Sequence, residues 1–206
     1  MNLDYIADKL KNRSSKPLDI KYCYGVLLPI IDRNNRLELL YEVRAKNLKR
    51  QPGEISFPGG EVEDSETFEE ASIRETCEEL NIKRENISVI GKLDYLISYS
   101  NISLHPYVGI LQGIDVDRLD YSKDEVDHVF TVPLDFFLEN EPSVSYADIL
   151  AFAHENFPYD MIPGGKEYDW KKGKYSVYFY KYNKYVIWGL TAKITKNFID
   201  IIKESC

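Results

Sequence analysis

The chain has 206 residues, 44% of them hydrophobic, and a formal net charge of −8 at neutral pH. That hydrophobic share excludes an intrinsically disordered chain, and the length suits one domain over 1–206 with a sizeable core. The acidic balance argues against nonspecific nucleic-acid binding, and no apolar run in the sequence reaches membrane-spanning length. The N-terminal Met-Asn-Leu-Asp-Tyr-Ile-Ala-Asp-Lys does not have the basic-then-apolar form of a secretion signal, so a cytoplasmic location is expected. Three cysteines, Cys23, Cys77 and Cys206, show no metal-ligand spacing and read as reduced structural thiols.

In chain order, residues 3–13 predict a short amphipathic helix with Leu3, Ile6 and Leu10 on one side. Residues 22–31 predict a buried strand, Asp32-Arg33-Asn34-Asn35 a turn, and 37–43 the returning strand of a hairpin. A loop over 45–54 leads to a short strand at 55–57 and a sharp glycine turn at Gly59-Gly60. A helix follows at 68–80, then strands at 87–98, 104–111 and 124–132 and a short helix at 133–138. A late β pair, 144–152 with 175–182, flanks a Pro/Gly-rich loop at 158–166, and 188–205 closes the chain as a helix with Trp188 as a core residue at its start. Neither an internal repeat nor a dividing linker is present, and mixed strands with two principal helices predict an α+β fold layered as an α/β/α sandwich.

The densest chemistry lies at 57–82. If 68–80 is helical, Glu75, Glu78 and Glu79 fall at i, i+3 and i+4 and share one face, where they repel. Carboxylates this close need protons or divalent cations between them, and an all-oxygen donor set open to water suits Mg²⁺ or Mn²⁺ with a phosphorylated substrate. A merely solvated acidic helix is the bland alternative. Against it stands the stripe Ile73, Cys77 and Leu80, which would bury against a core and aim the glutamates the opposite way.

Gly60, five residues, Glu66, seven residues, then Arg74-Glu75-x-x-Glu78-Glu79 resembles the Nudix box, the signature of hydrolases acting on nucleoside diphosphates linked to another group. Asn81 stands where the family usually has glycine, and Thr76 where it usually has an aliphatic residue. Asparagine tolerates the left-handed conformation that ends a helix, and Thr76 keeps a methyl group that needs only partial burial. The resemblance implies the sandwich of helices around a mixed sheet. It also implies Glu75, Glu79 and Glu78 as metal ligands, Arg74 as the residue orienting them with support from Glu66, and a general base at Glu78 or Glu125.

Arg44-Ala45, Leu48, Gly53 and Phe57 to Gly60 also resemble the element preceding the box in coenzyme A diphosphatases of that group, with Lys49 in place of the usual arginine and Gln51 in place of the usual histidine. Lysine keeps the charge but gives up the two-pronged geometry. This resemblance implies a coenzyme A-like nucleotide substrate, with Arg44, Lys49, Gly59 and Gly60 binding it; Lys46 and Arg50 complete the local basic patch as its weaker pair. It leaves a homodimer open. Two alternatives stand beside it: a Nudix enzyme for ADP-ribose, dinucleoside polyphosphates or nucleoside triphosphates, and a non-catalytic nucleotide-binding module. His105 reads as a packing or hydrogen-bonded residue.

Overall fold

The computed structural model describes residues 2–11 and 13–204. Helix α1 (Leu3–Lys11) precedes β1 (Tyr22–Asp32), β2 (Leu37–Arg44), β3 (Ile55–Ser56) and β4 (Gly59–Glu61), and helix α2 (Phe68–Leu80) follows. Next come β5 (Ile87–Lys92), β6 (Leu96–Ser98), β7 (Ile102–Leu111), β8 (Val126–Pro133), α3 (Leu134–Glu139), β9 (Ser143–Ile149), β10 (Gly173–Tyr182), β11 (Tyr185–Trp188) and α4 (Gly189–Lys203).

β1 is the centre of an eight-stranded sheet. It pairs antiparallel with β2 and β4 and parallel with β7, which makes the sheet mixed. Alternation along the strands decides what each face holds. Val26, Leu28 and Ile30 of β1, with Leu39, Tyr41 and Val43 of β2, turn toward α3, α4 and the small sheet β11-β10-β9, where Phe137, Ile187 and Phe198 fill the core. Leu27, Ile31 and Leu40 turn the other way and pack against Ile73 and Leu80 of α2. The expected helix–sheet–helix layering is therefore present, with α2 packed on the second face.

Gly25 shares the parity of Leu27 and lies under α2. A Cβ there would sit well inside contact distance of the Phe68 carbonyl and against the Ser72 backbone. The helix can approach the sheet this closely only because that position has no side chain. Gly25→Ala should therefore destabilise the protein by about 2–3 kcal/mol, the scale of overpacking where backbone must move; a urea midpoint equal to wild type would contradict this.

Several expected elements differ. The glycine pair is strand β4, held in register by Gly59 opposite Val26 and Gly60 opposite Gly25. The single strand expected at 87–98 breaks into β5 and β6, because its bulged register against β7 runs out at Lys92. Trp188 ends an unexpected strand, β11, opposite Phe179, and is 44% exposed; it is not a core residue. α4 closes at Lys203, and Cys206 lies outside the described residues. α1 ends at Lys11, and none of its residues is buried. His105 stacks on Phe68 at 3.6 Å and bonds Ser103 Oγ at 2.6 Å, so it is a packing residue as expected.

Candidate active site

The start and stop of α2 are written locally. Thr67 caps the N-terminus by accepting from the Glu70 N–H, while the Glu70 carboxylate accepts from the Thr67 N–H, a reciprocal capping box. Asn81 ends the helix in the left-handed conformation at φ 51°, and its N–H bonds the Cys77 carbonyl. At about 100° per residue, Ser72 and Thr76 point straight at the sheet, Ile73 and Leu80 flank them on one side, and Glu75 and Glu79 flank them on the other. Thr76 is completely buried, beyond the partial burial expected, and its hydroxyl donates to the Ser72 carbonyl at 2.6 Å. Cys77 is only half-buried. The glutamates are not all turned away from the core: Glu79 is 4% exposed, and its Oε2 accepts the Gly59 N–H at 2.9 Å.

Arg74 organises the rest. Its guanidinium bonds Glu66 through Nε at 2.9 Å and Nη2 at 3.1 Å, Glu75 at 2.8 Å, Glu78 at 3.4 Å, and the Glu61 carbonyl at 3.0 Å. The Arg74 hydrogen bond holds the Glu66 carboxyl below the usual range. Burial pushes Glu75 up, against the pull of Arg74. Glu79 is raised well above the usual range, first by burial and then by the charge of Glu42.

Glu42 escaped sequence reasoning. It lies on β2 at the parity of Leu40, facing α2, and is 1% exposed. Its Oε1 accepts from Ser56 Oγ at 2.9 Å, while Oε2 has no partner among the described residues. Burial pushes its carboxyl up to about 7. The signal that could have found it is a lone acid in the apolar run Leu39-Leu40-Tyr41-Glu42-Val43.

Of these groups, Glu75 and Glu79 border a cleft of about 530 Å³ whose walls also include Glu125, Arg44, Ser56, Gly59 and Gly60; Glu42 lies behind Ser56, outside the wall. Glu125 reaches it because its loop is pinned: Ser122 N–H donates to the Glu79 carbonyl, and Ala45 N–H to the Glu125 carbonyl, each at 2.8 Å. Glu78, with its side chain 56% exposed, lies outside the wall. So does Lys49, which is exposed; Arg50 lines the cleft in its place, where the loop turns at Gln51 with φ 52°. The far wall is apolar, from Ile102, Leu104, Leu190 and Ile194.

Residues 21–178 match the family profile described as the NUDIX domain. The chain belongs to the Nudix family. Among its Nudix relatives are the peroxisomal coenzyme A diphosphatase NUDT7 of Mus musculus, 30% identical over 88% of this chain and 70% of that protein, and an uncharacterized Nudix hydrolase NudL of Citrobacter koseri, 33% identical over 84% and 78%. A MutT/nudix family protein from Enterococcus faecalis aligns with a TM-score of 0.54 over 98% of this chain and 70% of that one, at 15% identity, a likeness of fold alone. The chain is thus a Nudix hydrolase, of a family that acts on small nucleotide-like substrates and generally uses divalent cations. Among the described residues, no helix is long and apolar enough to cross a membrane.

The chemistry of Glu75, Glu78 and Glu79 fits such a cation: all three offer carboxylate oxygens, and Glu79 is buried with no basic side chain paired to it among the described residues. Among the described residues, no three acidic, histidine or cysteine side chains already converge on one point. Arg74 engages Glu75 and Glu78, while Gly59 engages Glu79. Gly60 keeps room for this arrangement, since a Cβ there would overlap the Glu75 carboxylate. That carboxylate ends a flexible side chain, so Gly60→Ala should displace Glu75 and keep the fold. Turnover should fall about 10–100-fold, the scale of disturbed ligand support, with an unchanged melt; near-normal turnover would contradict it.

Proposed function

We propose that this Nudix hydrolase splits the pyrophosphate linkage of coenzyme A or its thioesters by adding water across the P–O–P bond, giving 4′-phosphopantetheine (or its acylated form) and adenosine 3′,5′-bisphosphate. One observation carries the reading: a single cleft joins the box carboxylates Glu75 and Glu79 and the cationic Arg44 to an apolar wall of Ile102, Leu104, Leu190 and Ile194. A diphosphate carrying a long, weakly polar arm needs both ends. The name of the mouse relative supports the same substrate class.

In this reading Glu75 and Glu79 hold Mg²⁺ or Mn²⁺, with Glu78 contributing from the exposed rim. When bound, the cation polarises phosphoryl oxygens and offsets the charge of the departing phosphate. Arg74 fixes the carboxylate rotamers by charge-assisted hydrogen bonds. Glu125, on the cleft wall, accepts the proton of the attacking water, a task for which Glu78 is the other candidate. Arg44 and Arg50 meet the phosphates, and the glycine strand lets them approach the backbone. Lys49, outside the wall, contributes only long-range attraction.

The test is a panel of coenzyme A, acetyl-coenzyme A, ADP-ribose, diadenosine tetraphosphate and dATP with Mg²⁺ or Mn²⁺, with products read by mass. Coenzyme A or its thioester should be hydrolysed fastest. Faster turnover of ADP-ribose, the dinucleotide or dATP would replace the substrate, and no turnover of any compound would favour a binding module.

A further inference from the structure

Two buried carboxylates, Glu42 on the α2-facing side of β2 and Glu79 on α2, lie at the interface between sheet and helix, near enough for the charge of one to act on the other. Each has 4% or less of its surface exposed. The charge of Glu42 acts on Glu79 more strongly than any other neighbouring charge. Among the described residues, no ion pair joins either carboxylate to a basic side chain: Arg74 is engaged elsewhere, and Arg44, whose charge acts on both from a distance, keeps its own buried Nε without a partner. Ser56 Oγ holds Glu42 Oε1 and so fixes the rotamer, leaving Oε2 buried and unsatisfied. An unsatisfied buried oxygen is rare, and two unpaired buried carboxylates side by side are rarer. Both conditions end if a cation lies between them. A magnesium-sized ion needs only one or two protein carboxylates, with water filling its remaining positions.

We propose that Glu42 is a further cation-holding carboxylate of this chain, reaching the divalent ion from β2, beneath the cleft wall that Ser56 and Glu79 form. The proposal rests on the reading of Glu79 as a metal ligand and adds a residue that lies eighteen positions before the box begins. It follows that Ser56, by orienting Glu42, is a positioning residue for the same ion.

The experiment is an Mn²⁺ titration of the full, chelator-stripped chain, with free Mn²⁺ followed by electron paramagnetic resonance. Wild type, Glu79→Gln and Glu42→Gln are compared. Glu42→Gln should weaken Mn²⁺ binding at least about 10-fold, the usual scale for lost ligand support. Affinity within twofold of wild type, in a preparation where Glu79→Gln loses binding, overturns the role of Glu42 and leaves that of Glu79 standing. A wild type with no Glu79-dependent binding overturns both. Should Glu42→Gln not fold, carboxylate ¹³C resonances of wild type decide: Mn²⁺ broadening of Glu42 together with Glu79 supports the proposal, and a sharp Glu42 resonance refutes it.

Discussion

Glu79→Gln is expected to lower turnover by about 10³-fold or more, equivalent to about 4 kcal/mol of barrier, while the metal-free protein melts at or above the wild-type temperature. The two halves of this result have one cause. Glutamine fills the same volume and still accepts the Gly59 N–H that now bonds Glu79 Oε2. It carries no charge, so it cannot hold a dication, but it also removes a buried carboxylate lying beside Glu42. Replacing one member of an unpaired buried charge pair relieves desolvation and repulsion together. Loss of activity with a retained or raised melting temperature is the signature of a site that sacrifices stability for function. Steady-state rates with the best substrate of the panel, beside melts in chelator, would check it. A near-normal rate would remove Glu79 from the site, and a collapsed melt would make its role structural.

Stability of the metal-free protein should fall as pH rises from 5 to 8, the reverse of ordinary acid denaturation. Glu42 has its carboxyl pushed from 4.5 up to about 7 by burial. Between those values the folded chain holds a proton that the unfolded chain has released. Stability is therefore fully present below about 4.5 and is lost as pH climbs through about 7. The difference amounts to about 3 kcal/mol for that group, and the raised Glu79 carboxyl acts in the same direction. Glu66, lowered by Arg74, has the opposite sign but acts below this window, where carboxylates with depressed values take up protons. Urea unfolding at pH 5 and pH 8 in chelator should show the fall, Glu42→Gln should flatten it, and millimolar Mg²⁺ should restore stability at pH 8. Equal stability of wild type at both pH values in chelator would contradict the argument.

Much of the site was legible because it is local. Thr67, Glu70 and Asn81 mark the ends of α2 by chemistry within four residues of each end. The spacing of Arg74, Glu75 and Glu79 places them on one side of a helix before any tertiary contact exists, and Glu66 is the partner of Arg74 only eight residues away. The apolar runs of β1 and β2 likewise announced a buried hairpin, and mixed strands with two principal helices implied the helix–sheet–helix layering. Errors cluster where a neighbour decides: Gly59-Gly60 is a strand because β1 offers it an edge, and Trp188 belongs to β11 because β10 lies beside it. Arg50 replaces Lys49 on the cleft wall through a loop turn whose direction no propensity specifies.

Sequence by itself determined the family, the carboxylate helix and the kind of chemistry, since each depends on residue type and short-range periodicity. Tertiary structure alone decided that Glu79 is buried, that the charge of Glu42 acts on it from β2, and that an apolar wall from β7 and α4 completes the cleft. The physical reason is distance along the chain. Desolvation and charge coupling depend on what lies within a few ångströms, and here those neighbours come from strands and helices far apart in sequence.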